Sequence, residues 1–369
     1  MAAPIKGKGT GKVSAGSWIG KLHGAAAEAN ARAKADASER KEAGRSPQSI
    51  ILRPNEVHGE YDAGRALYTT LGGVARAITG EDLIAFRQNI RTLQGKIKSG
   101  IRARQVLDMS LPSDRERARE EIRAAVPVSA RNGLVRFITN AGPNSDVTRH
   151  HVSVDFLSFS AAVAAGRDNP KKMAAWMRKE PLRFDCDCGR HRYWFRYIST
   201  IGGFNAGRAE TGYPKIRNPR LHGVACKHVL RVMAEVESSA SIQLWLAKLI
   251  EKARAADDAN ANLRNTQAEA EALEKKQKGR AREIKTTDSR AKDREAARAR
   301  QALAEAAKPA PKPKKTAGAS RNAATLAGVV NKLKSLNMNR DQASGMYDGG
   351  ILTVPKGTTK AQFLEAFDK

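Results

Sequence analysis

All three cysteines of the chain fall in two short segments, FDCDCGRHRYWFR at 184–196 and GVACKHVLRVM at 223–233. Written as a pattern this is Cys186-x-Cys188, then thirty-seven residues, then Cys226-x-His228. Three thiolates and one imidazole complete a tetrahedral shell for Zn2+, an ion that accepts sulfur and nitrogen ligands without imposing a d-electron geometry. Four protein ligands leave no open position for water or substrate, so the expected zinc is structural. An odd number of cysteines excludes a complete set of internal disulfides, and a bridge between Cys186 and Cys188 across one residue is strained. Crowded thiols fit a shared metal better than an activated nucleophile. His191 and His222 remain alternative fourth ligands to His228, and Asp185 and Asp187 are read as tuning the site rather than binding metal.

The local context supports this arrangement. RFDCDCGRHRYWFRYIST alternates apolar and polar residues around Gly189, which predicts a hairpin whose tight end presents two cysteines to one point. ACKHVLRVMAEV predicts a helix whose Val229, Val232, Met233 and Val236 pack onto that hairpin. The positive end of such a helix favours a thiolate.

Elsewhere the chain alternates between patterned and polar stretches. Thr79 and Asp82 form a capping box ahead of Leu83, Phe86, Ile90, Leu93 and Ile97 at helical spacing. Ser113 and Glu116 form a second box ahead of a charged helix that Pro127 stops. VPVSA, the Asn132-Gly133 turn, LVRFIT and HVSVDFL predict three antiparallel strands. His150 and His151 are neighbours on the last of these and so point to opposite faces, which argues against a shared metal. PKKMAAWMRKE predicts a helix that buries Met173, Trp176 and Met177.

The fold class expected is α+β: helices with a small antiparallel sheet, a zinc-stabilised hairpin–helix unit, and long basic arms, partly helical or disordered. The boundaries read from composition are a flexible basic arm at 1–48 with an Ala-rich helix from Ala25, a helix-and-strand core at 49–180, and the zinc-binding unit at 181–240. A charged helical arm follows at 241–307, then a Pro/Lys linker at 308–320 and a small module at 321–369 with a strand, a turn and a closing helix. The fragment GKGTGKVS near the start is one residue too short for a phosphate-binding loop and has Val13 where Ser or Thr is needed.

Charge narrows the partners. With 66 Lys and Arg against 38 Asp and Glu, the formal charge is +28, which favours anionic partners because each neutralised phosphate releases counterions. The spacer GGFNAGRAETGYPKIRNPRLHG interleaves Arg208, Lys215, Arg217 and Arg220 with Tyr213 and Phe204, a set suited to phosphates and bases or to a neighbouring subunit. No apolar run reads as a signal peptide or a membrane span, and no nucleophile–base pair or small-molecule site is evident.

The order CxC, long spacer, CxH resembles the SWIM-type zinc finger over about fifty residues, and the resemblance implies Cys186, Cys188, Cys226 and His228 as ligands and binding to DNA or protein. No helicase motif or transposase-like acidic triad accompanies it, so enzymatic roles of neighbouring domains are not implied. A broader stretch, SLPSDRERAREEI through RYWFRYISTIGGFNAGRAETGYPKIRNPRLHGVACKHVLRVM, resembles virion proteins of tailed bacteriophages. That resemblance implies a non-enzymatic particle component, made in the host cytoplasm and located in the virion, with other virion proteins as partners in an oligomeric assembly. DNA is the alternative partner.

Overall fold

Asn132 and Gly133 both adopt positive φ, 50° and 86°, and close a hairpin in which Arg131 pairs with Leu134. The dipeptide does what its chemistry favours, since both residues tolerate the left-handed region that a two-residue turn requires. Gly133 is also sterically constrained, because a Cβ there would meet Phe159 at 2.7 Å. The computed structural model describes residues 18–43, 51–59, 67–97, 99–256, 262–278, 283–306 and 325–369. The phosphate-loop-like fragment, the start of the N-terminal arm and the Pro/Lys linker lie outside the described residues.

The chain forms two units, Met1–Asp293 and Arg294–Lys369. In the first, a short ladder pairs β1 (Tyr68–Thr69) with β2 (Arg76–Ala77). The main sheet is antiparallel, with five strands in the order β6-β5-β4-β3-β7. These are β3 (Ala125–Arg131), β4 (Leu134–Asn140), β5 (Arg149–Phe156), β6 (Leu182–Cys186) and β7 (Asn262–Arg264). The three strands expected from the sequence are its centre.

One face of the sheet, with Val135, Phe137, Val152, Val154 and Phe184, belongs to the main core. The helix Lys227–Ser238 shares that core, and its Val229, Val232, Met233 and Val236 are fully buried, as their spacing predicts. In the helix Pro170–Met177, Met177 is buried, but Trp176 of the expected apolar stripe is 40% exposed. The first capping box forms as read: Thr79 Oγ1 accepts from the Asp82 N–H, and Asp82 accepts from the Thr79 N–H at 2.9 Å. The bidentate Arg76 guanidinium is chiefly what holds the Asp82 carboxyl down, at about 2. The second box does not form. That helix starts two residues earlier, at Pro112 with Leu111 as its cap, because proline's fixed φ suits the first turn.

The other face of the sheet carries a small second core of Ile19, Val126, Val128, Ile138 and Ala270. Two segments read as arms supply it. From Ile19 the N-terminal segment is docked and continues as the helix Ala25–Ala43. Within the expected charged arm, the helix Gln267–Lys278 is anchored by Gln277, whose amide bonds both the N–H and the C=O of Ala125 at 2.8 Å. Among the described residues, these parts are layers of the fold rather than free extensions.

The second unit packs the helices Leu326–Ser335, Arg340–Asp348 and Lys360–Asp368 around Val330, Leu333, Ala343, Phe363 and Phe367. The strand expected near Ile351 is a loop, placed by a hydrogen bond from the Tyr347 hydroxyl to the Thr358 carbonyl at 2.6 Å. No described helix is long and apolar enough to cross a membrane.

Candidate metal centre

Cys186 is the last residue of β6, an edge strand paired with β5 through Val152. Cys226 is the N-terminal cap of the helix Lys227–Ser238, which places His228 in its first turn. The ligand atoms of Cys186, Cys188, Cys226 and His228 lie within 4.8 Å of one another, and all four residues are buried. The cysteines are free thiols. His228 turns Nδ1 toward Cys186 Sγ at 4.0 Å. Sulfurs around a tetrahedral zinc, with bonds of about 2.3 Å, stand roughly 3.8 Å apart, so a small contraction of this cluster completes a shell.

The electrostatics fit a cation. Hydrogen bonds from Cys186 and Cys226 push the Cys188 thiol well below its ordinary value, while burial pushes those two donors well above theirs. The His191 N–H also donates to Cys188 Sγ at 3.3 Å. Burial lowers the His228 pKa, which keeps its imidazole neutral and able to donate a lone pair. A bound ion would displace the remaining thiol protons and neutralise charge that the protein alone leaves buried.

The expected hairpin is absent. After Cys188 the chain enters a π-helical turn, His191–Phe195, and then the helix Arg196–Ile201. The cluster therefore joins an edge strand to two helical segments. His191 is buried with Nε2 3.0 Å from Asp185, and exposed His222 lies outside the cluster, so among the described residues the four-residue set has no competing histidine.

The two aspartates in DCDC are engaged away from the thiols. Asp187 accepts from His150 Nδ1 at 2.8 Å and from the His151 N–H at 3.1 Å, and pairs with Arg32 at 2.7 Å. The His150 ring in turn packs on His228, with centroids 4.2 Å apart. Asp185 meets Arg196 and His191, each at 3.0 Å. His150 and His151 diverge as their positions predict. His151 is held neutral at ordinary pH by burial, its pKa lowered to about 4.

The helix Ala25–Ala43 supplies the outer partners through Glu28, Arg32 and Asp36, spaced four residues apart on one face. Asp36 is buried and pairs with Arg192 and Arg196 at 2.6 Å and with Arg208 at 3.0 Å. Glu28 pairs with Arg149 at 2.6 Å. The reading of the sequence missed this clamp. Its only local signal was the i, i+4, i+8 charge stripe, whose partners are more than a hundred residues away.

A pH effect follows from Asp36. Burial raises its pKa, but Arg196, Arg192 and Arg208 outweigh that and hold it below the ordinary value. A carboxyl depressed in this way adds stability above its unfolded pKa of about 3.9, and the contribution is lost as pH falls through the folded value. Amide-exchange protection of the helix Ala25–Ala43 is therefore expected to hold from neutral pH down to about 4 and to drop below that. In Asp36→Asn, protection should already be low at neutral pH.

The spacer between the ligand pairs is wound into the core. Tyr213 is fully buried between Phe86 and Tyr197, at ring-centroid distances of 4.4 and 5.3 Å, and Phe204 is also fully buried. Lys215 is 2% exposed and its ammonium reaches the Tyr68 carbonyl at 3.2 Å. The expected surface of cations and aromatics is thus corrected: Tyr213, Phe204 and Lys215 face inward, Arg208 is paired with Asp36, and Arg217 and Arg220 remain exposed. Rings of this size gain more from burial beside other aromatics than from a solvated loop.

Fold and site together define an α+β protein with a buried Cys3His cluster that can hold a metal ion. Comparison with known proteins found no matching family model, no matching curated protein and no matching solved structure.

Proposed function

We propose that the protein is a non-enzymatic structural or assembly protein stapled by one zinc ion, and a component of a tailed-phage particle. The observation that carries the zinc reading is the convergence of the chain's only three cysteines and one histidine in a buried cluster that ties β6 to the helix Lys227–Ser238. The CxC and CxH spacing supports a SWIM-like site, and the virion reading rests on the resemblance of residues 80–240. Four ligands close the shell, so the ion would stabilise the fold rather than present an open coordination position.

Two measurements test these readings. Metal analysis of purified protein should return one zinc per chain, and cobalt substitution should give the intense absorption of a tetrahedral thiolate site. Absence of both would remove the zinc reading. Mass spectrometry of purified particles should find the chain at a fixed copy number, and its absence there would remove the virion reading. A second reading, contact with DNA, is favoured by the formal charge of +28.

A further inference from the structure

Among the described residues, the second core covers one end of the sheet's second face. Near the β3–β4 turn an open groove of about 990 Å³ remains, and its lining among the described residues includes Arg131, Arg136, Lys252 and Arg264 but no carboxylate. The register places these groups in rows. Arg264 on β7 pairs with Ser129 on β3, Ser129 pairs with Arg136 on β4, and Arg136 pairs with Ser153 on β5. Side chains at directly paired positions share a face, so the row reads cation, hydroxyl, cation, hydroxyl. Arg131, two residues along β3 from Ser129, begins the next row on the same face.

None of these four cationic side chains has an ion-pair or hydrogen-bond partner among the described residues. Arg131, Lys252 and Arg264 are exposed. Arg136 is half-buried, and burial lowers its pKa, with no carboxylate among the described residues to offset the cost. On the same face, Asp155 lies opposite Arg183 in the β5–β6 ladder and Asp185 pairs with Arg196, and neither makes an ion pair with a groove cation among the described residues. A half-buried, unpaired guanidinium beside three more cations is costly unless an anion completes the site.

We propose that this groove binds the phosphate backbone of duplex DNA. The inference rests on the DNA reading above and moves the contact surface from the spacer to the sheet. Arg264 and Arg136 stand two strand spacings apart, about 10 Å, and the intervening serine adds a hydroxyl donor of the kind that grips phosphate. Duplex is favoured over single strand because no aromatic side chain among the described residues lines the groove to stack an exposed base. It is favoured over an acidic protein because the described lining holds arginines without the Trp or Tyr anchors that accompany them in protein interfaces. Readout of sequence is not expected.

The test uses the full chain and a fluorescent duplex over a range of salt. Two double variants remove equal charge: Arg131→Gln with Arg264→Gln in the groove, and Arg217→Gln with Arg220→Gln on the spacer. Each phosphate contact contributes about 0.9 to the slope of log affinity against log salt, so the groove pair is expected to lower the slope by about 1.8 and to weaken binding more than tenfold at 0.1 M salt. The spacer pair should change neither by a comparable amount. Adding Arg136→Gln to the groove pair should lower the slope further, while Arg136→Lys should retain it. Equal effects of the two pairs would assign binding to net charge and overturn the groove. Tighter binding of single strands or of polyglutamate would overturn the choice of duplex. Failure of the unaltered chain to retain duplex at low salt would remove the DNA reading itself, and the groove with it.

Discussion

Cys226→Ala is expected to leave the purified protein without stoichiometric zinc and to lower its melting temperature by roughly 10 °C. Structural zinc sites of this ligand type bind with apparent free energies of about 10–16 kcal/mol at neutral pH, and that binding is folding free energy. Losing one thiolate forfeits a large part of it, here taken as about 5 kcal/mol. In a unit of this size each kcal/mol moves the midpoint by about 2 °C. Cys226 also caps the helix Lys227–Ser238, and its neighbours Val229 and Val232 are core residues, so fraying would spread from the site into the sheet. Thermal denaturation paired with metal analysis checks this. Chelator-treated unaltered protein should melt near the variant, whereas His222→Ala, which changes an exposed residue outside the cluster, should keep its zinc. Full zinc occupancy in Cys226→Ala would mean that the shell is assembled from other residues.

Asp36→Ala is expected to detach the helix Ala25–Ala43 while leaving the zinc in place. The substitution strands Arg196, which is 3% exposed, and removes the carboxylate shared by Arg192 and Arg208. Breaking a buried ion pair from one side costs about 3–5 kcal/mol because the remaining charge stays desolvated. Arg196 keeps Asp185, so the lower end of that range applies. Limited proteolysis should cut the helix many times faster than in the unaltered protein, with zinc content unchanged. Equal proteolysis rates would show that Ile19 and Ala25 hold the segment without the ion pairs.

The Cys3His cluster was legible because metal coordination would demand particular atoms at particular spacings, and few side chains supply them. The β3–β4 hairpin and the Thr79 cap were legible for a similar reason: each is set by backbone chemistry within four residues. The second strand expected after Gly189 was not. HRYWFRYIST carries the aromatic and β-branched residues that suit a strand, yet Phe195 and Ile198 also stand one helical turn apart, and both are fully buried in the helical form. Short apolar runs of this kind satisfy both periods, and the surrounding core decides between them. The spacer posed a different difficulty, since cations next to aromatics read alike whether the rings stack on a ligand or, as Tyr213 does, on Phe86 and Tyr197.

By itself the sequence determined which residues can hold a metal, where the tight turn falls and how the central strands alternate, because these depend on neighbours along the chain. Tertiary structure alone decided which arginines are paired and which are free. Asp36 finds Arg196, and Arg149 finds Glu28, across 160 and 121 residues, and no local pattern records such a partnership. The same long-range packing covers one end of the sheet's second face and, among the described residues, leaves Arg131, Arg136 and Arg264 without an acidic partner at the other. Where a strongly basic chain can meet an anion therefore depends on the charges its own acids leave uncompensated, which is settled only when the layers have packed.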